Sequence, residues 1–224
     1  MFKFKKIKKE SILWLKIEKN QFICLGFFFL ILQFFVIWGN YMTDRYDVFF
    51  WFCNHTPLFF AFAFFLGKKD VIKGLINVGF LGQFFWTLDF LSKLIFNSYI
   101  FKVTNYIFEA DNGMWVLVPI GIHVFATNLA FLFTYKKKPT IYTAFYSLIY
   151  IIFLYAGTLT YTLAERNVNC IMQICGATSL TFNNYTNFWP IIAFFLVAMP
   201  TQGIQYLVYK LTKKNDKTNK TKNN

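Results

Sequence analysis

"FICLGFFFLILQFFVIW", residues Phe22 to Trp38, contains no charged side chain and a single amide, Gln33. Apolar residues run on without alternation, so the two-residue period of a barrel strand is absent. A helix satisfies its own backbone hydrogen bonds, which hydrocarbon demands. About 20 mainly apolar residues make such a helix long enough to cross. A basic segment precedes the run, as in a signal peptide. The run is longer than a signal core, however, and no A-x-A-like site precedes "GNYMTDRYD". The sequence therefore predicts a first span, Gln21–Trp38, that stays in the chain.

Five further stretches have the same character: Val48–Leu66, Val71–Phe96, Met114–Tyr135, Ile141–Leu163 and Phe188–Tyr209. Together the six fill most of a 224-residue chain that is 57% hydrophobic, holds 32 Phe and is only 15% charged. No second soluble domain fits. The expected fold class is all-α, an integral membrane bundle of six transmembrane helices with both termini cytoplasmic. Residues 1–20 form a basic cytoplasmic or interfacial segment, 21–209 the transmembrane domain, and 210–224 a disordered basic tail.

The orientation comes from the lysines. Nineteen of the 23 basic residues fall in the N-terminal segment, the turns after spans two and four, the start of span three (Lys73), and the tail. Only Arg45, Lys93, Lys102 and Arg166 fall on the alternate side. That is the positive-inside bias, and it puts both ends inside; the expected location is the plasma membrane. The net charge of +13 is then explained by topology and attraction to anionic headgroups. Membrane lipids are the expected partners, nucleic acid is not, and the sequence names no protein partner. "FKFKKIKKESILWLKIEKN" interleaves apolar residues with lysines, as an interfacial helix does.

Ionisable residues inside spans mark functional sites by default. At about 1.5 Å per residue, Cys53, Asn54, His55 and Thr56 of span two lie in the outer half. So do Gln83 and Asp89 of span three and His123 of span four. The inner half offers only Asn77, Asn128, Gln202 and Gln205. Gln83, Trp86 and Asp89 share a face, and Pro119, His123 and Thr127 share a stripe. Each residue also has a structural reading. Asp89 can pair with Lys93 one turn on, and His55 and His123 can bond between helices. Cys53 can fill space as a small apolar side chain. Cys170 and Cys175 share the outer side, where either a disulfide or burial would suit them. Pro200 should kink span six. No nucleotide loop or zinc pattern is present, so neither a cofactor nor a metal is expected.

The stretches "FFWFCNHTPLFFAFAFFLGKKDVIKGLINVGFLGQFFWTLDFL", "GIHVFATNLAFLF", "NVN" and "NFWPIIAFFL" resemble, in that order, small six-span prokaryotic membrane proteins of the YwaF-like family. The hallmarks are Q-x-x-W-x-x-D-F-L, one intramembrane His and N-x-N after span five. The resemblance covers Phe49 to Leu207, and it extends to a eukaryotic branch regarded as lipid acyltransferases. It implies a nucleophile at Cys53 and a His at His123. The family's His just before its Cys has no counterpart, since Trp51 and Phe52 stand there and His55 follows.

Three functions fit. In an acyltransferase, Cys53 attacks a lipid ester, His123 is the general base, and Asp89 or Asn54 orients the imidazole. Asn54, His55, Gln83, Trp86, Thr127, Asn167 and Asn169 would line the substrate site. In a small-solute or proton-coupled transporter, Asp89, His55 and His123 form a relay. In a non-catalytic subunit the same groups join helices.

Overall fold

The computed structural model describes the backbone of residues 2–42, 49–109, 116–174 and 181–222. Side chains are described for 19–42, 49–108, 116–165, 167–174 and 181–214. Arg45, Val48, Met114 and Cys175 lie outside them. The described residues are helical, with no strand among them.

Five helical segments are long and apolar enough to cross a membrane: Lys19–Met42, Lys69–Phe96, Leu117–Thr134, Ile141–Tyr161 and Tyr185–Lys214. The first belongs to α1 (Phe2–Met42), one uninterrupted helix that takes in the basic segment read as interfacial. The second is α3 (Lys69–Phe96). After the short α4 (Asn105–Glu109), the third segment is composite. It joins α5 (Leu117–Ile120), a π-helical stretch Gly121–Ala126, and α6 (Thr127–Thr134). The fourth is α7 (Ile141–Tyr161). The fifth joins α8 (Tyr185–Ala193), a second π stretch Phe194–Ala198 just before Pro200, and α9 (Met199–Lys222). The helix of α9 carries on through the basic tail, since adding a residue to a formed helix needs no new nucleus.

The remaining predicted span, Val48–Leu66, contains only the 14-residue α2 (Phe52–Phe65). At ~1.5 Å per residue that helix is about 21 Å long. Its start is set from outside the segment. The Asn169 side chain accepts from Phe52 N–H at 2.8 Å and donates to the Phe50 carbonyl at 2.7 Å. Its end is set locally, where Gly67 adopts φ +62 and turns the chain into α3. Gln33 of α1 braces the middle. Pro57 interrupts the helical ladder here. The Gln33 amide stands between Asn54 and Leu58, donating to the Asn54 carbonyl at 2.9 Å and accepting from Leu58 N–H at 3.1 Å. A neighbouring helix thus supplies two bonds in place of the single Leu58-to-Asn54 bond that a regular α-helical turn makes directly.

Helix α3 is the centre of the bundle, packed against α2, α6, α7 and α9. Gly74 lets α7 approach. A Cβ there would sit 2.9 Å from that of Tyr146 and 3.1 Å from the Ser147 nitrogen. Phe29 stacks on Phe64 in a core shared with Phe60, Ile72, Ile76 and Ile151. At one end, Lys69 lies over the Phe22 ring and Lys138 over Tyr206. The start of the apolar part of α1, the two lysine turns and the basic part of α9 therefore gather at one lysine-rich end. The opposite end holds Phe49–Trp51, the 97–104 loop and the loop after α7. Large apolar side chains, Phe27, Leu94, Phe145, Ile191 and Leu196 among them, are exposed around the outside.

Candidate functional site

Asp89 sits near the end of α3 and is 0% exposed. Neither Lys93 nor His123 meets it. One carboxylate oxygen accepts from the backbone N–H of Ile100, Phe101 and Lys102 at 2.8, 2.7 and 3.2 Å. The other accepts from Thr104 N–H at 3.0 Å and its hydroxyl at 2.8 Å. Five donors satisfy the carboxylate and fold the 97–104 loop over the helix end. Lys93 turns instead to Asn97 Oδ1 at 2.7 Å and lies over the Tyr99 ring.

Cys53, Asn54 and His55 open α2. Cys53 is a free thiol that donates to Asn54 Oδ1 at 3.7 Å. His55 is buried among five aromatic rings, Phe49, Phe50, Phe59, Tyr150 and Phe153. Its Nδ1 is 3.1 Å from the Phe49 carbonyl, so that nitrogen carries the proton, and Nε2 has no partner. Beside it, Thr56 pairs with the Tyr150 hydroxyl at 3.0 Å.

Asn167 and Asn169 are loop builders. Both adopt left-handed backbone, at φ 44 and φ 54, a conformation Asn tolerates better than most residues. Asn167 Oδ1 accepts from Met172 and Gln173 N–H, closing its own loop. Asn169 clamps the start of α2 as described and also reaches Thr158 of α7. Cys170 is disulfide-bonded.

His123 lies in the π stretch, a feature frequent at functional sites. Its ring stacks on Trp86 with centroids 4.3 Å apart and planes 12° off parallel. Trp86 Nε1 donates to the Tyr106 hydroxyl. The Thr87 hydroxyl donates to the Gln83 carbonyl and contacts that of His123 at 3.4 Å. One level further in, Phe80 stacks on Phe131. Two antiparallel helices with 86 beside 123 and 80 beside 131 bring 83 level with 127. Gln83 and Thr127 are 3% and 1% exposed. Yet Gln83 Oε1 and Nε2, Thr127 Oγ1 and His123 Nδ1 are all buried without a hydrogen-bond partner. Burying such atoms unpaired costs about 1–3 kcal/mol each.

Among the described residues, no hydrogen bond joins any two of Cys53, His123 and Asp89. Cys53 turns to Asn54, His123 to Trp86, and Asp89 to the loop. No three His, Cys, Asp or Glu side chains among the described residues gather as a metal would need.

The lysine-rich end holds a polar network absent from the sequence reading. Lys73, one of the nineteen basic residues on the cytoplasmic side of the positive-inside count, is 1% exposed. Its ammonium donates to Gln205 Oε1 at 3.0 Å. Gln205 Nε2 donates to the Lys73 carbonyl and to Asn77 Oδ1. Asn77 donates to Ser147 and Gln202. One turn outward, Thr140 and Thr143 both donate to Asp70 Oδ1, while capping α7. The signal was available: Lys73 and Asn77 are four apart, and Gln202 and Gln205 three apart, so each pair shares a helix face.

No family model, curated protein or solved structure matches the chain.

Proposed function

We propose that the protein crosses the plasma membrane six times with both termini cytoplasmic, and that it binds and moves a small, uncharged, hydrogen-bonding solute. The six-span part is supported by α2, whose start meets Asn169 at one end of the bundle and whose Gly67 turn meets the other. A short helix preceded by Phe49–Trp51 thus runs the same layer as its long neighbours. Gathering of the lysine turns at one end supports the orientation.

The solute reading rests on one observation: four partnerless buried polar atoms from Gln83, Thr127 and His123 at one level between α3 and the π-interrupted helix. An amide and a hydroxyl offer donors and acceptors together, and no charged side chain joins them. That chemistry suits a hydroxyl or amide ligand. It ranks above acyl transfer because a nucleophile, base and orienting acid need mutual hydrogen bonds, and Cys53, His123 and Asp89 are each engaged elsewhere. The YwaF-like resemblance agrees with this architecture.

The test is Gln83→Leu, read twice. Removing a partnerless amide should raise the thermal stability of the solute-free protein by about 1–2 kcal/mol. The same change should abolish uptake of polyols or small amides by proteoliposomes. Lower stability, or uptake retained, refutes the reading. Loss of ester-dependent acylation on Cys53→Ala, with uptake unaffected, would return the acyltransferase.

A further inference from the structure

At the lysine-rich end, a groove of about 440 Å³ is lined by Lys138, Tyr206, Tyr209, Lys210, Lys213 and Lys214. Residues 206, 209, 210 and 213 fall on one face of α9 at three- and four-residue spacing. Lys138 comes from the turn before α7, so two separate parts of the chain build the site. Among the described residues the lining contains four ammonium groups, two phenol hydroxyls and no acid.

The lysines are arranged by the tyrosines. Lys210 lies 4.9 Å from the Tyr206 ring centroid, Lys138 reaches the same ring at 5.9 Å, and Lys213 lies 5.9 Å from Tyr209. Attraction of an ammonium to an aromatic face holds three long side chains around one space rather than spread through solvent. Next to them on α9, Ile204, Leu207 and Leu211 are exposed. A cationic, hydroxyl-bearing groove thus borders an apolar helix face. A phosphodiester headgroup with acyl chains matches both parts, whereas a free phosphate would use only the first.

We propose that this groove is a binding site for the headgroup of an anionic phospholipid, with its acyl chains along the apolar face of α9. Basic pockets at the cytoplasmic side of membrane helices bind such headgroups. The proposal rests on the membrane-spanning reading but not on the Gln83 site, so loss of solute uptake in Gln83→Leu leaves the experiment below unaffected.

The test is lipid binding by the purified full chain in detergent, titrated with phosphatidylglycerol, phosphatidylcholine or inorganic phosphate. Phosphatidylglycerol should bind in preference to phosphatidylcholine, and millimolar phosphate should not displace it. Lys138→Gln combined with Lys213→Gln should weaken phosphatidylglycerol binding about 25-fold, at about fivefold per lysine. Lys19→Gln with Lys68→Gln removes the same charge from exposed lysines outside the groove lining and should change binding less than threefold. Equal losses in the two double variants would reduce the groove to diffuse attraction and overturn the proposal. Displacement by phosphate, or no preference for the anionic lipid, would overturn it as well.

Discussion

Asp89→Asn separates a structural carboxylate from a chemical one. The wild-type group takes five hydrogen bonds, three on one oxygen and two on the other. Asparagine keeps one oxygen. If that oxygen holds the backbone N–H groups of residues 100 to 102, the new NH₂ faces the N–H and hydroxyl of Thr104, a buried residue. Two bonds to a charged acceptor are lost, each worth about 1.5–3 kcal/mol. The Thr104 hydroxyl can rotate to accept from the amide, which recovers part. The expected loss is about 3–5 kcal/mol of stability. At about 2–4 °C per kcal/mol for a chain of this size, the midpoint should fall by roughly 6–20 °C. Thermal unfolding in detergent, followed by tryptophan fluorescence, measures it. Trp86 is a suitable reporter because its indole bonds Tyr106, just beyond the tethered loop. A midpoint within about 2 °C of wild type would refute the loop-tether account. If uptake or acyl transfer also vanished in that stable variant, Asp89 would be chemical after all.

Gln33→Leu removes the amide that bridges Asn54 and Leu58, leaving a carbonyl and an N–H unmet beside Pro57. Stability should drop by about 2–4 kcal/mol, with faster hydrogen exchange at Leu58; unchanged exchange there would count against the brace. Gln205→Leu takes away the acceptor of the buried Lys73 ammonium and should cost about 3–5 kcal/mol. Adding Lys73→Met should restore most of that, and a double variant as unstable as the single one would show that the charge was not the problem.

The helices were readable because hydrocarbon leaves few choices. Unbroken apolar runs become helices, and α3 ends at Phe96 as the sequence indicates. The partners of polar groups were far less readable. Asp89 was weighed against Lys93 and His123, side chains with matching charge or depth. Its donors are backbone N–H groups eleven to thirteen residues later and Thr104, and a backbone N–H leaves no mark in a sequence. Lys73 lies at the start of span three, as the sequence indicates, but a positive-inside count treats every lysine near a turn alike and carries no sign of its burial. At four residues into α3 it faces α9 and is covered by it. The Val48–Leu66 stretch had a length that hydropathy could supply and a start that hydropathy could not. Asn169 sets that start from more than a hundred residues away. The sequence put Gln83 on one face with Trp86 and Asp89, and Thr127 on one stripe with His123, but their common level and lack of partners needed the packed helices.

The Asn169 clamp also has a consequence for how the chain is made. Phe52 and Asn169 are 117 positions apart, so the start of α2 is already out of the ribosome long before its partner exists. At about 5–20 residues per second, the interval is roughly 6–23 s. During that time α2, shorter than the five membrane-length segments, packs on α1 and α3, but its start lacks the Asn169 clamp. Assembly of this protein therefore has a built-in order: α2 packs early, and its start is locked only when the loop after α7 has been made and has reached it. Slowing translation between residues 60 and 169 would prolong the exposure of that unfinished end to membrane proteases and chaperones.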